Sequence, residues 1–264
     1  MPLPPPPPSP AYPAYPTRDP CGCHGTPSNR RGCSPIGAQI SGWFGDIEST
    51  FYRHPASPHP DIFRVSNDEQ QGCRNVGRSG WHIDGSFQQR PFKIQTMHFW
   101  SVSKDGNTHF SPLRELLDDL PEAMRGRWDR YWFVGDRVVH PLTYNHPTTG
   151  ADTMVFHCGG AFARALAIDY DAASGAAFEV MAGDGLQSVL DEITARLEDP
   201  ARMYVHRWEV GDLAIIDNLA VAHYAPPETQ DAAGSAGLRI LHRTTVAGTS
   251  SPRKAGATPE PALT

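Results

Sequence analysis

The sequence predicts a mainly β protein, an antiparallel sandwich or barrel with a few helices packed outside. Short segments rich in β-branched and aromatic residues recur along the chain, and Gly, Pro, Asn and Asp punctuate the gaps. Only two stretches keep apolar residues at helical spacing. Hydrophobic residues make up 39% of the 264 residues, enough for a buried core, and no internal repeat is visible.

Taken in order, the first 35 residues hold 12 of the 26 prolines, including the run Pro4 to Pro8. Proline removes backbone donors and favours extended polyproline II, so residues 1–35 are expected to form a disordered tail. Arg18, Arg30 and Arg31 against Asp19 leave a proline-motif ligand or a transit segment as other readings. A single domain is expected over 36–248 and a disordered tail over 249–264. Strands are expected at Ile94–Val102, Tyr131–Val139, Thr153–His157, Met203–Trp208, Leu213–Ile216 and Leu238–Val246. Leu113, Leu116, Leu117, Leu120, Met124 and Trp128 predict a helix over Leu113–Trp132, opened by Ser111-Pro112. Leu186, Val189, Leu190, Ile193 and Leu197 predict a second.

Charge and cysteine usage exclude several classes. The net charge of -6 and pI of about 6.0 argue against nucleic acid, whose phosphates require a basic face. No run of about 20 apolar residues offers a membrane span, and no apolar stretch follows Met1 as in a secretory signal. The five cysteines are oddly numbered and irregularly spaced, which does not resemble a disulfide framework and points to a reducing, cytoplasmic setting. Cys21, Cys23 and His24 lie close together but lack zinc-site spacing.

The strongest chemical signal is Trp81-His82-Ile83-Asp84-Gly85. Residues two apart on an extended segment project to one side, so the His82 imidazole and the Asp84 carboxylate can reach one ion. Two histidines and one carboxylate on one face of a metal leave the opposite positions open, the pattern of non-haem iron(II) oxygenases. A third ligand must come from elsewhere in the chain. Gly211-Asp212-Leu213-Ala214-Ile215-Ile216-Asp217-Asn218 turns into a buried strand and a polar corner, and His223-Tyr224 follows. In Leu238-Arg239-Ile240-Leu241-His242-Arg243, the two arginines fall on one side of a strand. A guanidinium fork matches a carboxylate bidentately, so such a pair beside a metal suits a dicarboxylate or an anionic substrate.

Together these pieces resemble the taurine and 2,4-dichlorophenoxyacetate dioxygenase family of iron(II)/2-oxoglutarate enzymes. The family pattern is Trp-His-x-Asp, a distal His, then two arginines four apart, and the elements occur here in that order. The segment His59-Pro60-Asp61-Ile62-Phe63-Arg64-Val65-Ser66-Asn67, the turn Asp105-Gly106-Asn107-Thr108 and the region His140-Pro141-Leu142 to Gly150 are similar as well. The resemblance spans roughly 40 to 248 and implies a double-stranded β-helix, or jelly roll. It implies Fe(2+) held by His82, Asp84 and His223, with 2-oxoglutarate and O2 as co-substrates. Thr108 and Arg239 would bind the distal carboxylate of 2-oxoglutarate. Arg243 would engage a substrate anion, and Arg78, four positions before His82, would contact the small-molecule substrate.

The family's halogenases lack the carboxylate at the position of Asp84, so its presence favours hydroxylation or desaturation. His98, His109, His140, His146, His157 and His242 are not called on by the resemblance and are expected to be structural. Trp81 reads equally as pocket wall or core. The portion before His82 is shorter than in the family, and Gln230 to Ser235 lengthens the segment between His223 and Arg239, with a composition that suits a flexible border to the pocket. Relatives often form dimers or tetramers, which leaves a homo-oligomer open. Desaturation or cyclisation on the same metal site, a zinc hydrolase, and a non-catalytic jelly roll remain as competing readings.

Overall fold

The computed structural model describes residues 36–48, 52–77 and 79–254. The proline-rich segment 1–35, Arg78 and residues 255–264 lie outside the described residues. The chain opens with helix α1 (Ile36–Ser41), then strands β1 (Phe63–Ser66), β2 (Ile94–Ser101) and β3 (Thr108–Pro112). Helices α2 (Leu113–Asp118) and α3 (Glu122–Trp128) lead to β4 (Tyr131–Val134), β5 (Val139–Pro141), β6 (Thr143–Asn145) and β7 (Asp152–Met154). Next come β8 (Ala165–Ile168), β9 (Glu179–Met181), α4 (Asp184–Leu197), β10 (Tyr204–His206), β11 (Leu213–Asp217) and β12 (Val221–Tyr224). A 3-10 turn at Pro227–Gln230, α5 (Ala233–Ala236) and β13 (Ile240–Val246) complete it.

Two antiparallel sheets position the site. One has the order β1-β13-β2-β11, the other β10-β3-β12. Phe63, Val65, Met97, Phe99 and Leu241 from the first pack against Phe110 and Val221 from the second and Trp208 just after β10, closing a sandwich core. A larger core lies behind the second sheet, where Trp81, Ile83 and Ala222 meet the apolar stripe of α4 and the buried leucines of α2. Sheet β5-β4-β8-β9 extends that core through Tyr131, Phe133, Leu166 and Ile168. The expected mainly β jelly-roll architecture is thus the observed one.

Three expectations need correction. The helix predicted over Leu113–Trp132 is two helices, because Pro121 has no amide hydrogen and disfavours helical backbone at Leu120. The strand predicted over Tyr131–Val139 is a hairpin, with Gly135 N–H bonded to Val138 O at 3.0 Å. The C-terminal tail does not begin at 249. Pro252 is buried, and Lys254 Nζ donates to the Asp129 carbonyl and lies 5.6 Å above the Trp132 ring.

Candidate metal centre

Alternation along one extended segment builds the first half of the site. Trp81 and Ile83 point into the rear core, so His82 and Asp84 point the other way. The segment then joins β12. His82 N–H bonds to His223 O at 3.1 Å, and His223 N–H returns to His82 O at 2.9 Å. Directly opposed residues of an antiparallel pair carry their side chains on one face, so the two imidazoles come side by side, 4.4 Å between centroids. Gly85 follows at φ 77, where a Cβ would lie 2.8 Å from the Phe92 ring. A side chain there would push the Asp84 segment off its seat.

One potential ligand atom from each of His82, Asp84 and His223 falls within 4.8 Å of the others, and all three residues are buried. His82 Nε2 lies 3.8 Å from Asp84 Oδ1 and His223 Nε2 lies 3.7 Å from Asp84 Oδ2. His82 Nδ1 donates to Gly80 O at 2.7 Å, which leaves the Nε2 lone pair facing the carboxylate. Burial keeps both imidazoles neutral, His82 below its ordinary range and His223 at about 3. Burial alone would raise the Asp84 carboxyl, but the charge and hydrogen bond of Arg243 outweigh it and hold the acid below the usual carboxylate range. Two neutral imidazole nitrogens and one anionic oxygen are the donor set that a divalent transition metal takes.

Arg243 Nη1 donates to Asp84 Oδ1 at 3.0 Å and lies 2.8 Å from Oδ2. Leu241 and Arg243 alternate with His242 along β13, and with Arg239 they line a narrow pocket shared with Met97, Thr108 and His223. Arg239 is 2% exposed, and among the described residues no acid pairs with it. Its backbone N–H is held by Asn67 Oδ1 at 2.8 Å, and its guanidinium lies over the Phe99 ring at 4.9 Å. Burial pushes Arg239 down to about 10. A desolvated guanidinium without an acid is costly, and an incoming carboxylate would offset that cost.

Residues 38–245 match the taurine catabolism dioxygenase TauD, TfdA family. The chain belongs to that family. It is accordingly a 2-oxoglutarate-dependent dioxygenase. An alpha-ketoglutarate-dependent sulfate ester dioxygenase of Pseudomonas putida is 25% identical, over 83% of this chain and 75% of that protein. An alpha-ketoglutarate-dependent 2,4-dichlorophenoxyacetate dioxygenase of Burkholderia sp. (strain RASC) is 24% identical, over 68% of each. A solved taurine dioxygenase from Burkholderia xenovorans shares the fold, with a TM-score of 0.61 at 22% identity, over 84% of this chain and 74% of that one.

Of the seven residues singled out in the dioxygenase's sequence, His223, Thr108, Arg239 and Arg243 line this pocket, and His82 and Asp84 adjoin it through His223 and Arg243. The seventh, Arg78, lies outside the described residues. The structure also brings in residues that the sequence reading passed over. Asn218 is fully buried, accepts Asp84 N–H at 2.8 Å and donates to Asp84 O at 2.8 Å and Phe92 O at 2.6 Å. It pins the ligand's backbone from the Asp217-Asn218 corner. His157, expected to be structural, bridges to His82 on the side away from His223 and stacks on its ring at 4.7 Å. Gly159 N–H bonds to His157 Nδ1, so the ring proton sits on Nε2. His140 and His146 are structural as expected, bonded to Gln88 O and Asp217. The segment expected to border the pocket loosely is tied down, since Gln230 accepts Asn75 N–H at 2.7 Å and Asn67 Nδ2 donates to Asp231 O and Gly237 O.

Proposed function

We propose that the protein uses Fe(2+), 2-oxoglutarate and O2 to hydroxylate a small anionic or amino-acid-like molecule, with release of succinate and CO2. The observation that carries this reading is the buried Arg239, which has no acid partner among the described residues and lines one pocket with His223 of the His82, Asp84 and His223 group. Iron bound by those three residues would supply the oxidative chemistry that no side chain provides. The chain's own groups do the rest. The two neutral imidazoles and Asp84 would hold the ion. Arg239 and Thr108 grip the distal carboxylate of 2-oxoglutarate, and Met97 and Leu241 wall its short carbon chain from water. Arg243, which restrains Asp84, and Arg78 are assigned to the substrate's anionic group. The two curated relatives are named for a sulfate ester and an aryloxyacetate, both anions, which supports that class.

The test is succinate release from 2-oxoglutarate with iron(II) and ascorbate, screened over sulfate esters, sulfonates, aryloxy acids and amino acids. One oxygen incorporated per succinate is expected, kept as a hydroxyl or, where the hydroxylated carbon bears the ester or ether oxygen, with that C–O bond broken to give a carbonyl compound and free sulfate or phenol. A clean preparation that binds neither iron(II) nor 2-oxoglutarate would instead mark the pocket as a non-catalytic anion site.

A further inference from the structure

We infer that Trp208 is a positioning residue for the co-substrate: it fixes the Thr108 hydroxyl as a hydrogen-bond donor aimed into the pocket. The inference rests on the reading of Thr108 and Arg239 as the 2-oxoglutarate carboxylate site. Thr108 and Trp208 are both buried, and Trp208 Nε1 lies 2.9 Å from Thr108 Oγ1. An indole nitrogen can only donate, so the hydroxyl oxygen accepts here. Its single proton must then go elsewhere, and among the described residues no protein acceptor takes it. The pocket is the remaining direction, and the group that meets a hydroxyl proton beside a guanidinium whose Nε is spent on Gly106 O and that has no acid partner among the described residues is an anionic oxygen.

The indole is itself held in place. It stacks on Phe99 at 4.1 Å and 20°, and the His206 ring meets it edge-on at 4.2 Å and 77°. His206 is fixed in turn by the Tyr204 hydroxyl at 2.8 Å and by Asp212 at 3.3 Å. Phe99 carries Arg239 on its ring. One stacked aromatic pair therefore backs both carboxylate anchors, Trp208 behind the threonine and Phe99 behind the arginine. A rigid pair sets the spacing of the two donors before any ligand arrives, which lowers the ordering cost of binding.

The experiment measures 2-oxoglutarate binding to the Mn(II)-loaded protein by calorimetry, without turnover, in a double-substitution cycle. Thr108→Val should weaken binding by about tenfold or more, as loss of a hydrogen bond to a charged group does. Trp208→Phe keeps the stack and removes the donor, and should weaken binding about three- to tenfold with an unchanged unfolding midpoint. In the Thr108→Val background, Trp208→Phe should change the dissociation constant less than twofold. A Trp208→Phe protein that binds like wild type overturns the inference, as does a loss that persists undiminished without Thr108. Wild-type protein that fails to bind 2-oxoglutarate overturns the parent reading instead. If Trp208→Phe does not fold, the indole N–H resonance of the Zn(II)-loaded wild type decides. Donation by Thr108 to a carboxylate makes its oxygen a better acceptor, so the signal should move downfield with 2-oxoglutarate, and not in Thr108→Val. No movement in wild type overturns the inference.

Discussion

The two ends of the pocket handle buried charge in opposite ways. At the metal end the Asp84 carboxylate is answered from within the chain by the Arg243 guanidinium. At the other end the Arg239 guanidinium is as deeply buried and has no acid beside it among the described residues. The contrast teaches which charge belongs to the fold and which waits for a ligand. The Asp84 charge already has a counter-charge in Arg243, whereas among the described residues that of Arg239 has none.

That contrast can be broken first at Asp84. Asp84→Ala should lower substrate-linked 2-oxoglutarate turnover at least about 100-fold, beyond what loss of a ligand's supporting partner costs. It should also destabilise the metal-free protein by roughly 3–5 kcal/mol in urea titration, because Arg243 is left buried without its acid. Full activity in this variant would refute the ligand assignment. Arg239→Met should behave differently. The 2-oxoglutarate dissociation constant should rise by about 10- to 100-fold, the worth of a charged hydrogen-bonded contact. Metal-free stability should stay level or rise, since a desolvated charge has been removed; a large loss of stability would show that Arg239 is compensated after all.

Asn218→Ala tests how the metal end is held. It strands the Asp84 backbone N–H and carbonyl and should cost about 1–3 kcal/mol in stability. Metal affinity should fall with it, measured by iron(II) titration, while 2-oxoglutarate contacts at Arg239 are untouched. The smallest effect at neutral pH is that of a control on the far face of β13. His242 is buried beside Arg64 and held at about 3, whereas an unfolded histidine titrates near 6.5. Below pH 6.5 the unfolded chain takes up a proton that the fold refuses, so stability is lost as pH falls from 6.5 toward 3. His242→Gln should flatten that dependence by up to about 1.4 kcal/mol per pH unit, with stability above pH 7 little changed.

The metal end was legible because its logic is local. Trp81-His82-Ile83-Asp84 announces by alternation which side chains face the core and which face the ion. His223 and the arginine pair were legible only as a pattern shared with a family, because nothing in their own spacing says where β12 and β13 will lie. The supports escaped altogether. Asn218 reaches Asp84 across 134 positions and Trp208 reaches Thr108 across 100, and no periodicity encodes a contact of that span. The elements failed where one residue overruled a pattern, as at Pro121, where apolar spacing continues through a ring that cannot continue the helix.

The reciprocal amide pair between His82 and His223 has a consequence for how the site opens. Because the two imidazoles are spaced by a strand ladder, an ion held by both would also staple two segments that lie far apart in the chain. Loading with a divalent ion should therefore slow deuterium uptake at the His82 and His223 amides more than anywhere else, and stripping it should let that edge fray first. Metal release and local unfolding would then be one event, so the lifetime of the loaded state is set by the zipper rather than by the ion.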